Sequence, residues 1–195
     1  MSFPSVLLIG DSITQTYAPA VVEALREIAH VELIPDNGGD SANVLAHVAD
    51  WLGDGAWDVV HFNCGLHDLR FDPERDTYQA ALEEYEANVR EVVAWLQRET
   101  STRLVWATIT PVVEEWHNAG KGFCRFNRDV EAYNAAALRV VRAAGVEVDD
   151  LHAFVVERGV RETVCPDGVH MTEDGSRALG HEVARFLEPI VRALA

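Results

Sequence analysis

Short apolar runs alternate along the chain with longer segments in which apolar residues recur every three or four positions. The short runs are rich in Val, Ile and Leu, a composition that is typical of buried strands. They occupy residues 5–9, 30–34, 58–62, 103–107 and 146–148. The pattern therefore predicts five short strands, separated by longer segments of another kind.

Those longer segments have the periodicity of helices that bury one face. In residues 78–98 the apolar stripe consists of Leu82, Tyr85, Val89, Val92 and Leu96. Near the C-terminus a similar stripe consists of Leu179, Val183, Phe186, Ile190 and Leu194. Thr172, Glu173 and Asp174 precede this second stripe and supply an acidic first turn, which favours a helix start. Each stripe is suited to packing on a sheet.

Strand and helix alternate about five times, and this alternation predicts the fold class. Parallel strands need crossover connections, so we expect an α/β fold with a five-stranded parallel sheet in a three-layer α/β/α sandwich. A length of 195 residues without linker or repeat predicts a single domain over residues 1–195. Ligands of such folds bind beyond the carboxyl ends of the strands, which directs attention to residues 10–14, 37–43 and 64–68.

Charge narrows the choice of partners. The chain has 32 acidic and 16 basic residues, a formal net charge of −16. Such a surface repels phosphate backbones and anionic lipid headgroups, so we expect no nucleic acid among the partners.

Cysteine usage and hydropathy indicate the compartment. Cys64, Cys124 and Cys165 are odd in number and form no CxxC pair, so neither a disulfide framework nor a zinc site is indicated. No apolar run reaches the roughly 18 residues of a membrane span, and no secretory apolar region precedes the first strand. We expect a cytoplasmic protein without membrane insertion. No sequence feature indicates an oligomeric state.

Ser12 follows the first predicted strand and allows two interpretations. Its hydroxyl could cap the following helix, or it could be a nucleophile, which requires a base. The segment CPDGVHMTEDG contains Asp167 and His170, and its proline and glycine favour a turn. On a turn, Asp167 can accept the Nδ1 proton of His170 and leave Nε2 facing Ser12. The alternative is a surface turn before the last helix.

Acyl transfer also needs hydrogen-bond donors for the developing oxyanion. Gly39, in the stretch DNGGDSAN, has no side chain to prevent close backbone approach to a substrate oxygen. The N–H of Ser12, at the start of the first helix, is a second candidate. The alternative for Gly39 is a plain turn glycine.

Four short motifs together resemble a known family. GDSI at residues 10–13, NxGxS at 37–41, GxxD at 65–68 and DxxH at 167–170 occur in the order and spacing of the SGNH hydrolases, the GDSL-type esterases and lipases. The segment FNRDVEAYNAAA at residues 126–137 resembles the family's penultimate helix. Each motif is weak alone, whereas the ordered set spans almost the whole chain.

The resemblance implies a flavodoxin-like sandwich and hydrolysis of small-molecule carboxylic esters through an acyl-enzyme. Ser12 would be the nucleophile, His170 the base and Asp167 its orienting partner. The backbone N–H groups of Ser12 and Gly39 would form part of the oxyanion hole. No metal and no organic cofactor are implied. A lysophospholipase or thioesterase type of acyl hydrolase is an alternative within the family.

One position departs from the family pattern. The third motif ordinarily supplies an oxyanion-binding asparagine, whereas this chain has His67 there. A neutral imidazole has one N–H, so our hypothesis is that His67 replaces the amide as a donor. The alternative is a histidine that packs within its loop. If His67 were protonated, it would oppose the charging of His170, and activity would fall twice over in acid.

Residues 110–125 form a long connection with several aromatic and glycine residues, and loops of this length are often functional. Trp116, His117 and Phe123 are therefore predicted to line a substrate pocket. A surface loop is the alternative for this segment. Two further substrate-binding candidates are Asp11 and Asn63, although asparagines at strand ends usually bond to loop backbone.

Other chemistries have weaker sequence support. Cys64, His67 and Asp68 resemble the parts of a cysteine hydrolase, but this interpretation leaves Ser12 without a purpose. The metalloprotease motif HExxH and the dinucleotide-binding motif GxGxxG are both absent. A binding module that keeps the fold and has lost efficient turnover is the alternative of a different class, suggested only by the substitution at His67.

Overall fold

The computed structural model describes residues 3–194. In chain order the elements are β1 (Ser5–Ile9), α1 (Ser12–Leu25), β2 (His30–Leu33), α2 (Ser41–Leu52), β3 (Val59–Phe62), β4 (Phe71–Asp72), β5 (Thr77–Tyr78), α3 (Leu82–Glu99), β6 (Arg103–Ala107), α4 (Glu114–Asn118), α5 (Asn127–Ala143), β7 (Glu147–Asp149), α6 (Leu151–Arg158), α7 (Val160–Thr163) and α8 (Glu173–Leu194). The five predicted strands are confirmed to within one residue at either end, and β7 lies one residue later than predicted.

The main sheet has the strand order β2-β1-β3-β6-β7, and every neighbouring pair is parallel. After β1 the chain adds β2 on one side and then returns to place β3 on the other. The carboxyl ends of β1 and β3 therefore lead into loops that diverge, which is where open α/β sheets form ligand clefts. The predicted five-stranded parallel sheet is confirmed.

Helices cover both faces of this sheet, so the predicted three-layer arrangement is also confirmed. α1 packs against α8 on one face, while α3 packs against α2 and α5 on the other. The apolar stripe predicted for residues 78–98 points inward, with Tyr85, Val89 and Leu96 fully buried. Within residues 3–194 no helix is long and apolar enough to cross a membrane.

The contact between α1 and α8 depends on a small residue. A Cβ atom placed on Gly180 of α8 would lie 2.5 Å from the carbonyl oxygen of Tyr17 in α1. A larger side chain would force the helices apart, because backbone atoms cannot move aside as a side chain can. Gly180 thus holds the last helix close to the first.

The start of α3 differs from the prediction. Residues 71–78 form a small antiparallel hairpin, in which Phe71 pairs with Tyr78. Tyr78 is therefore in a strand, and the helix begins at Leu82. Two-residue strands are too short to show an alternating pattern, which is why the hairpin was not predicted.

Candidate active site

A cleft of about 280 Å³ lies at the carboxyl ends of the strands. It is bounded by the loops that follow β1, β2 and β3, by the connection from β6 to α5, and by the turn before α8. Its lining residues are Ser12, Asn37, Leu66, His67, Arg70, His117, Lys121, Phe123, Arg125, Asp167, Val169 and His170. The structure thus brings together the motifs from the beginning and the end of the chain.

Ser12 is the first residue of α1, but it does not cap the helix. Asp11 is the N-cap residue, and its Oδ1 accepts a hydrogen bond of 2.9 Å from the N–H of Ile13. The hydroxyl of Ser12 is therefore free for another partner, and its Oγ lies 3.0 Å from Nε2 of His170. The structure therefore gives the capping role to Asp11 and places the Ser12 hydroxyl beside an imidazole.

His170 and Asp167 lie on the turn that precedes α8. Nδ1 of His170 is 2.5 Å from Oδ2 of Asp167, so Nδ1 carries the proton and Nε2 is left to accept from Ser12. Oδ1 of Asp167 accepts from the N–H groups of Val169 and His170, each at 3.0 Å. Burial opposes the ionisation of Asp167, but the hydrogen bonds from His170 and the two N–H groups outweigh it and lower the pKa of the carboxyl.

The turn itself is held against the connection that follows β6. Gly168 has a φ of +78°, and a Cβ atom there would lie 2.5 Å from the backbone nitrogen of His117 and 2.6 Å from the carbonyl oxygen of Val113. The carbonyl of Gly168 accepts from the N–H of Val113 at 2.9 Å. Glycine is therefore required by both conformation and space.

His117 contacts both this turn and Arg125, each through one of its ring nitrogens. Its Nε2 must accept from Nη1 of Arg125, at 3.2 Å, because a guanidinium only donates. Nδ1 then carries the proton and donates to the carbonyl of Asp167 at 3.3 Å. Burial and the neighbouring Arg125 lower the pKa of His117, which favours the neutral imidazole that these two hydrogen bonds require. His117 borders the cleft as predicted, but it is only 2 % exposed, and its ring nitrogens are engaged by Arg125 and by the turn.

His67 is partly buried and lines the same cleft as Ser12 and His170. Burial is the largest effect on its pKa, and the positive charges of Arg70 and Arg125 add to it, so the pKa falls to about 4. His67 is therefore a neutral imidazole at the pH of most assays. The expectation that its protonation would weaken activity in mild acid is not supported by this environment.

Gly39 adopts a φ of +63°, a conformation that favours glycine. Its N–H, however, donates to Oδ1 of Asn37 at 2.8 Å. This is the local hydrogen bond that asparagine forms with backbone two residues further on, and it keeps the N–H from a substrate in this arrangement. Gly39 can serve as an oxyanion donor only if the side chain of Asn37, which lines the cleft, turns away.

Three predicted substrate-binding residues lie elsewhere. Asp11 is buried at 1 % exposure beneath Ser12, where desolvation raises its pKa. Nδ2 of Asn63 donates to the carbonyl of Ala107 at 2.6 Å, so this asparagine ties a strand end to its neighbour. The ring of Trp116 packs on the core under the guanidinium of Arg161. None of Asp11, Asn63 and Trp116 lines the cleft, whereas Phe123 does.

Asp68 joins two loops below the cleft and is not free to orient His67, as a cysteine hydrolase built from Cys64, His67 and Asp68 would need. Its carboxylate accepts from the N–H of Ser41 at 3.0 Å and from the Ser41 hydroxyl, and its burial raises its pKa to about 6. It therefore does not orient His67. Burial also raises the pKa of the Cys64 thiol, which disfavours the reactive thiolate.

Three cationic residues in the cleft were not singled out from the sequence, namely Arg70, Lys121 and Arg125. The guanidinium carbons of Arg70 and Arg125 lie 4.9 Å and 5.2 Å from the ring centroid of Phe123. A signal for one of them was present in the composition, because Lys121 is the only lysine of the chain.

Comparison with known proteins identifies similar sequences and folds. The model of the GDSL-like lipase/acylhydrolase family matches residues 8–178. The human isoamyl acetate-hydrolyzing esterase 1 homolog is 27 % identical over 137 residues, which cover 67 % of this chain and 55 % of that protein. The chain spans about half the length of the curated relatives it matches.

Solved structures show the fold. A lipase/acylhydrolase from Enterococcus faecalis superposes with a TM-score of 0.80 at 18 % identity, covering 96 % of each chain. The acetyl xylan esterase AlAXEase superposes with a TM-score of 0.77 at 17 % identity, covering 94 % of this chain and 99 % of that one. These likenesses confirm the predicted sandwich.

Proposed function

Because the chain belongs to the GDSL-like lipase/acylhydrolase family, we propose that it is a serine esterase that hydrolyses carboxylic esters through an acyl-enzyme on Ser12. One observation carries the proposal. Oγ of Ser12 lies 3.0 Å from Nε2 of His170, whose other ring nitrogen is 2.5 Å from the carboxylate of Asp167. This is the arrangement in which a base removes the proton of a nucleophilic hydroxyl.

In the proposed acylation, Oγ of Ser12 attacks the ester carbonyl carbon while its proton moves to Nε2 of His170. The carbonyl oxygen takes the negative charge of the tetrahedral intermediate. When the intermediate collapses, the bond to the alkoxy oxygen breaks and His170 returns the proton to the leaving alcohol. Asp167 stays ionised and stabilises the imidazolium, consistent with its lowered pKa. Water then repeats the sequence in reverse and releases the acid.

The oxyanion would be bound by two donors, and a third would join them after a side-chain movement. The N–H of Ser12 is at the first turn of α1, where the helix leaves N–H groups without intrahelical partners. The neutral imidazole of His67 would supply a second donor, consistent with its place in the cleft and its pKa of about 4. The N–H of Gly39 would join them after Asn37 releases it.

We propose short acyl esters as substrates, with O-acetylated carbohydrates as the main candidates. The cleft of about 280 Å³ falls just below the roughly 300–1,000 Å³ of common ligand pockets, which favours a small acyl group. Two of the structural neighbours are acetyl xylan esterases, which supports acetylated sugars as the first class to test.

The test is a hydrolysis profile over 4-nitrophenyl acetate, butyrate and octanoate and over acetylated xylo-oligosaccharides, with the Ser12→Ala protein alongside. We expect the acetates to have the highest kcat/KM, and the Ser12→Ala change to lower kcat by roughly 10⁴-fold or more. Absence of Ser12-dependent turnover of every ester would refute the proposed reaction and favour a binding module.

A further inference from the structure

In the described part of this acidic chain, most basic residues form ion pairs with carboxylates, and a few do not. Among residues 3–194, every arginine except Arg70, Arg125 and Arg142 has a carboxylate oxygen within 4.0 Å. Lys121 likewise has no such partner among the described residues. Of these four unpaired cations, Arg70, Lys121 and Arg125 line the cleft that contains Ser12. The chain carries 32 acidic residues, yet none of the described ones pairs with these three.

Arg125 is held in place by neutral groups. It is only 4 % exposed, and its Nε donates to the carbonyl of Leu66 at 2.7 Å while Nη1 donates to His117. Both of these acceptors are uncharged, so the hydrogen bonds fix the guanidinium without neutralising it. Burial lowers the pKa of Arg125 to about 10, and the charge of Arg70 contributes in the same direction.

Arg70 is partly buried on the same aromatic ring. Its guanidinium carbon is 4.9 Å from the centroid of Phe123, and its Nε is buried without a hydrogen-bond partner among the described residues. Asp40 and Asp11 act on Arg70 only from beyond ion-pair distance. The two guanidinium groups share one ring and repel each other. A cation–π contact stabilises a buried positive charge less than a paired carboxylate would.

Lys121 stands at the rim of the same cleft, between two glycines. A Cβ atom on Gly120 or on Gly122 would meet nothing within 4 Å, so the lysine is carried by an open segment. Because Lys121 and Arg70 line the same cleft, both border the space that a ligand would occupy. Arginine and lysine are the side chains that bind carboxylate and phosphate oxygens most strongly.

We propose that the cleft binds an oxyanion on the ester substrate, a carboxylate or a phosphate, through Arg70 and Lys121, with Arg125 fixing the position of the site. The inference rests on the proposed esterase function and narrows the proposed short acyl esters to those that carry an anionic group. The ester bond would face Ser12, and the anionic group would lie on the side of Phe123. Three of the four cations without a carboxylate partner among the described residues lie here, so the cleft offers an anion more free positive charge than this chain of net charge −16 offers on average.

The test compares anionic esters with neutral esters of similar size. On the acyl side, mono(4-nitrophenyl) glutarate is paired with 4-nitrophenyl pentanoate. On the alcohol side, 3-acetoxybenzoate is paired with its methyl ester, and 3-acetoxyphenyl phosphate is paired with its dimethyl phosphate ester. We expect at least one anionic ester to exceed its neutral counterpart by about tenfold in kcat/KM, which corresponds to about 1.4 kcal/mol. Equal or lower values for every anionic ester would overturn the inference.

Variants connect the preference to the named residues. Arg70→Gln and Lys121→Gln should each lower the ratio of anionic to neutral kcat/KM by about fivefold or more, and Arg70→Lys should restore part of it. Arg142→Gln is the matched control, because it removes an unpaired cation outside the cleft and should leave the ratio unchanged. Unchanged ratios in both cleft variants would contradict the proposal.

A binding measurement separates this inference from the esterase proposal. Isothermal titration of glutarate and of inorganic phosphate into the wild-type protein should show binding that Arg70→Gln weakens about tenfold. If no ester is hydrolysed but this binding is found, the esterase proposal fails and the anion site stands. If neutral esters are hydrolysed and neither anion binds, the anion site fails and the esterase proposal stands.

Discussion

At the scale of single residues, two side chains determine which donors the proposed oxyanion site would have. His67 stands where the related motif has an asparagine, and its surroundings keep the ring neutral, with a pKa of about 4. Asn37 engages the N–H of Gly39, so one of the backbone donors is not ready. These two observations increase the weight that His67 would carry as a donor.

Substitution of His67 tests this role. We expect His67→Ala to lower kcat by roughly 10²-fold, the usual cost of removing one oxyanion donor, whereas His67→Asn should stay within about fivefold of wild type because the amide also donates. The measurement is kcat for 4-nitrophenyl acetate, with circular dichroism to verify folding. A kcat of His67→Ala within a few fold of wild type would exclude the donor role.

The pH profile provides a second test at the same residue. The lowered pKa means that His67 in the folded protein stays neutral down to about pH 4, below the range in which a free imidazole takes up its proton. The ratio of kcat between wild type and His67→Asn should therefore be constant from about pH 5 to 8. A fall of this ratio with a midpoint near neutrality would show that His67 carries charge during turnover.

The elements of the fold were more accessible to sequence reasoning than the arrangement of side chains in the loops. β1, β3 and β6 were predictable because most of their residues are apolar and buried on both faces of the sheet, although His61 lies within β3 and Arg103 begins β6. The hairpin of β4 and β5 has strands too short for any period to appear. Whether Trp116 faces the cleft or the core depends on Arg161, a contact across 45 residues that no local pattern contains.

The residues of the candidate site also divide into those that local motifs predict and those that only tertiary contacts bring together. Ser12, Asp167 and His170 were predictable because local motifs mark their turns. Their companions Arg70 and Arg125 sit in segments without a motif, and only the packing of the connection after β6 places them beside Phe123. His117 was predicted to line the cleft and does so, but its contacts with Arg125 and with the turn could not be predicted, because they require tertiary structure.

The turn before α8 offers a test at the scale of elements. Gly168→Ala should destabilise the protein by about 1–3 kcal/mol, since the new methyl group would overlap backbone of α4 and alanine disfavours positive φ. It should also lower kcat, because Asp167 and His170 lie one and two residues away, and a shift of the turn would move both side chains. Urea denaturation and ester hydrolysis measure the two effects.

The control for that variant is Gly120→Ala, where a Cβ atom meets nothing within 4 Å and φ is not positive. Its free energy of unfolding should change by less than about 1 kcal/mol. If Gly168→Ala proved as harmless as Gly120→Ala, the close packing assigned to the turn would be wrong.

At the scale of the whole molecule, charge repulsion opposes folding. The formal charge is −16, while most arginines form exposed pairs with carboxylates. Exposed pairs contribute only about 0–1 kcal/mol each, so screening them costs little. Screening the excess negative charge should therefore be the larger effect.

We accordingly expect the Tm to rise by several degrees when NaCl is increased from about 10 mM to 500 mM. Over this range the Debye length falls from about 30 Å to a few ångströms, so repulsion between surface charges is screened. Differential scanning calorimetry gives the measurement, and KCl serves as the control for ion-specific binding. A Tm that falls with both salts would mean that the arginine pairs contribute more to stability than the repulsion costs.

The pairing of Ser12 with His170 joins residues that are 158 positions apart. The two side chains can meet only after residue 170 has been made and α8 has docked on α1 through Gly180. If the proposed reaction holds, a nascent polypeptide carries an inert serine until then. Synthesis and folding of the segment after Ser12 would thus set the time at which hydrolysis can begin.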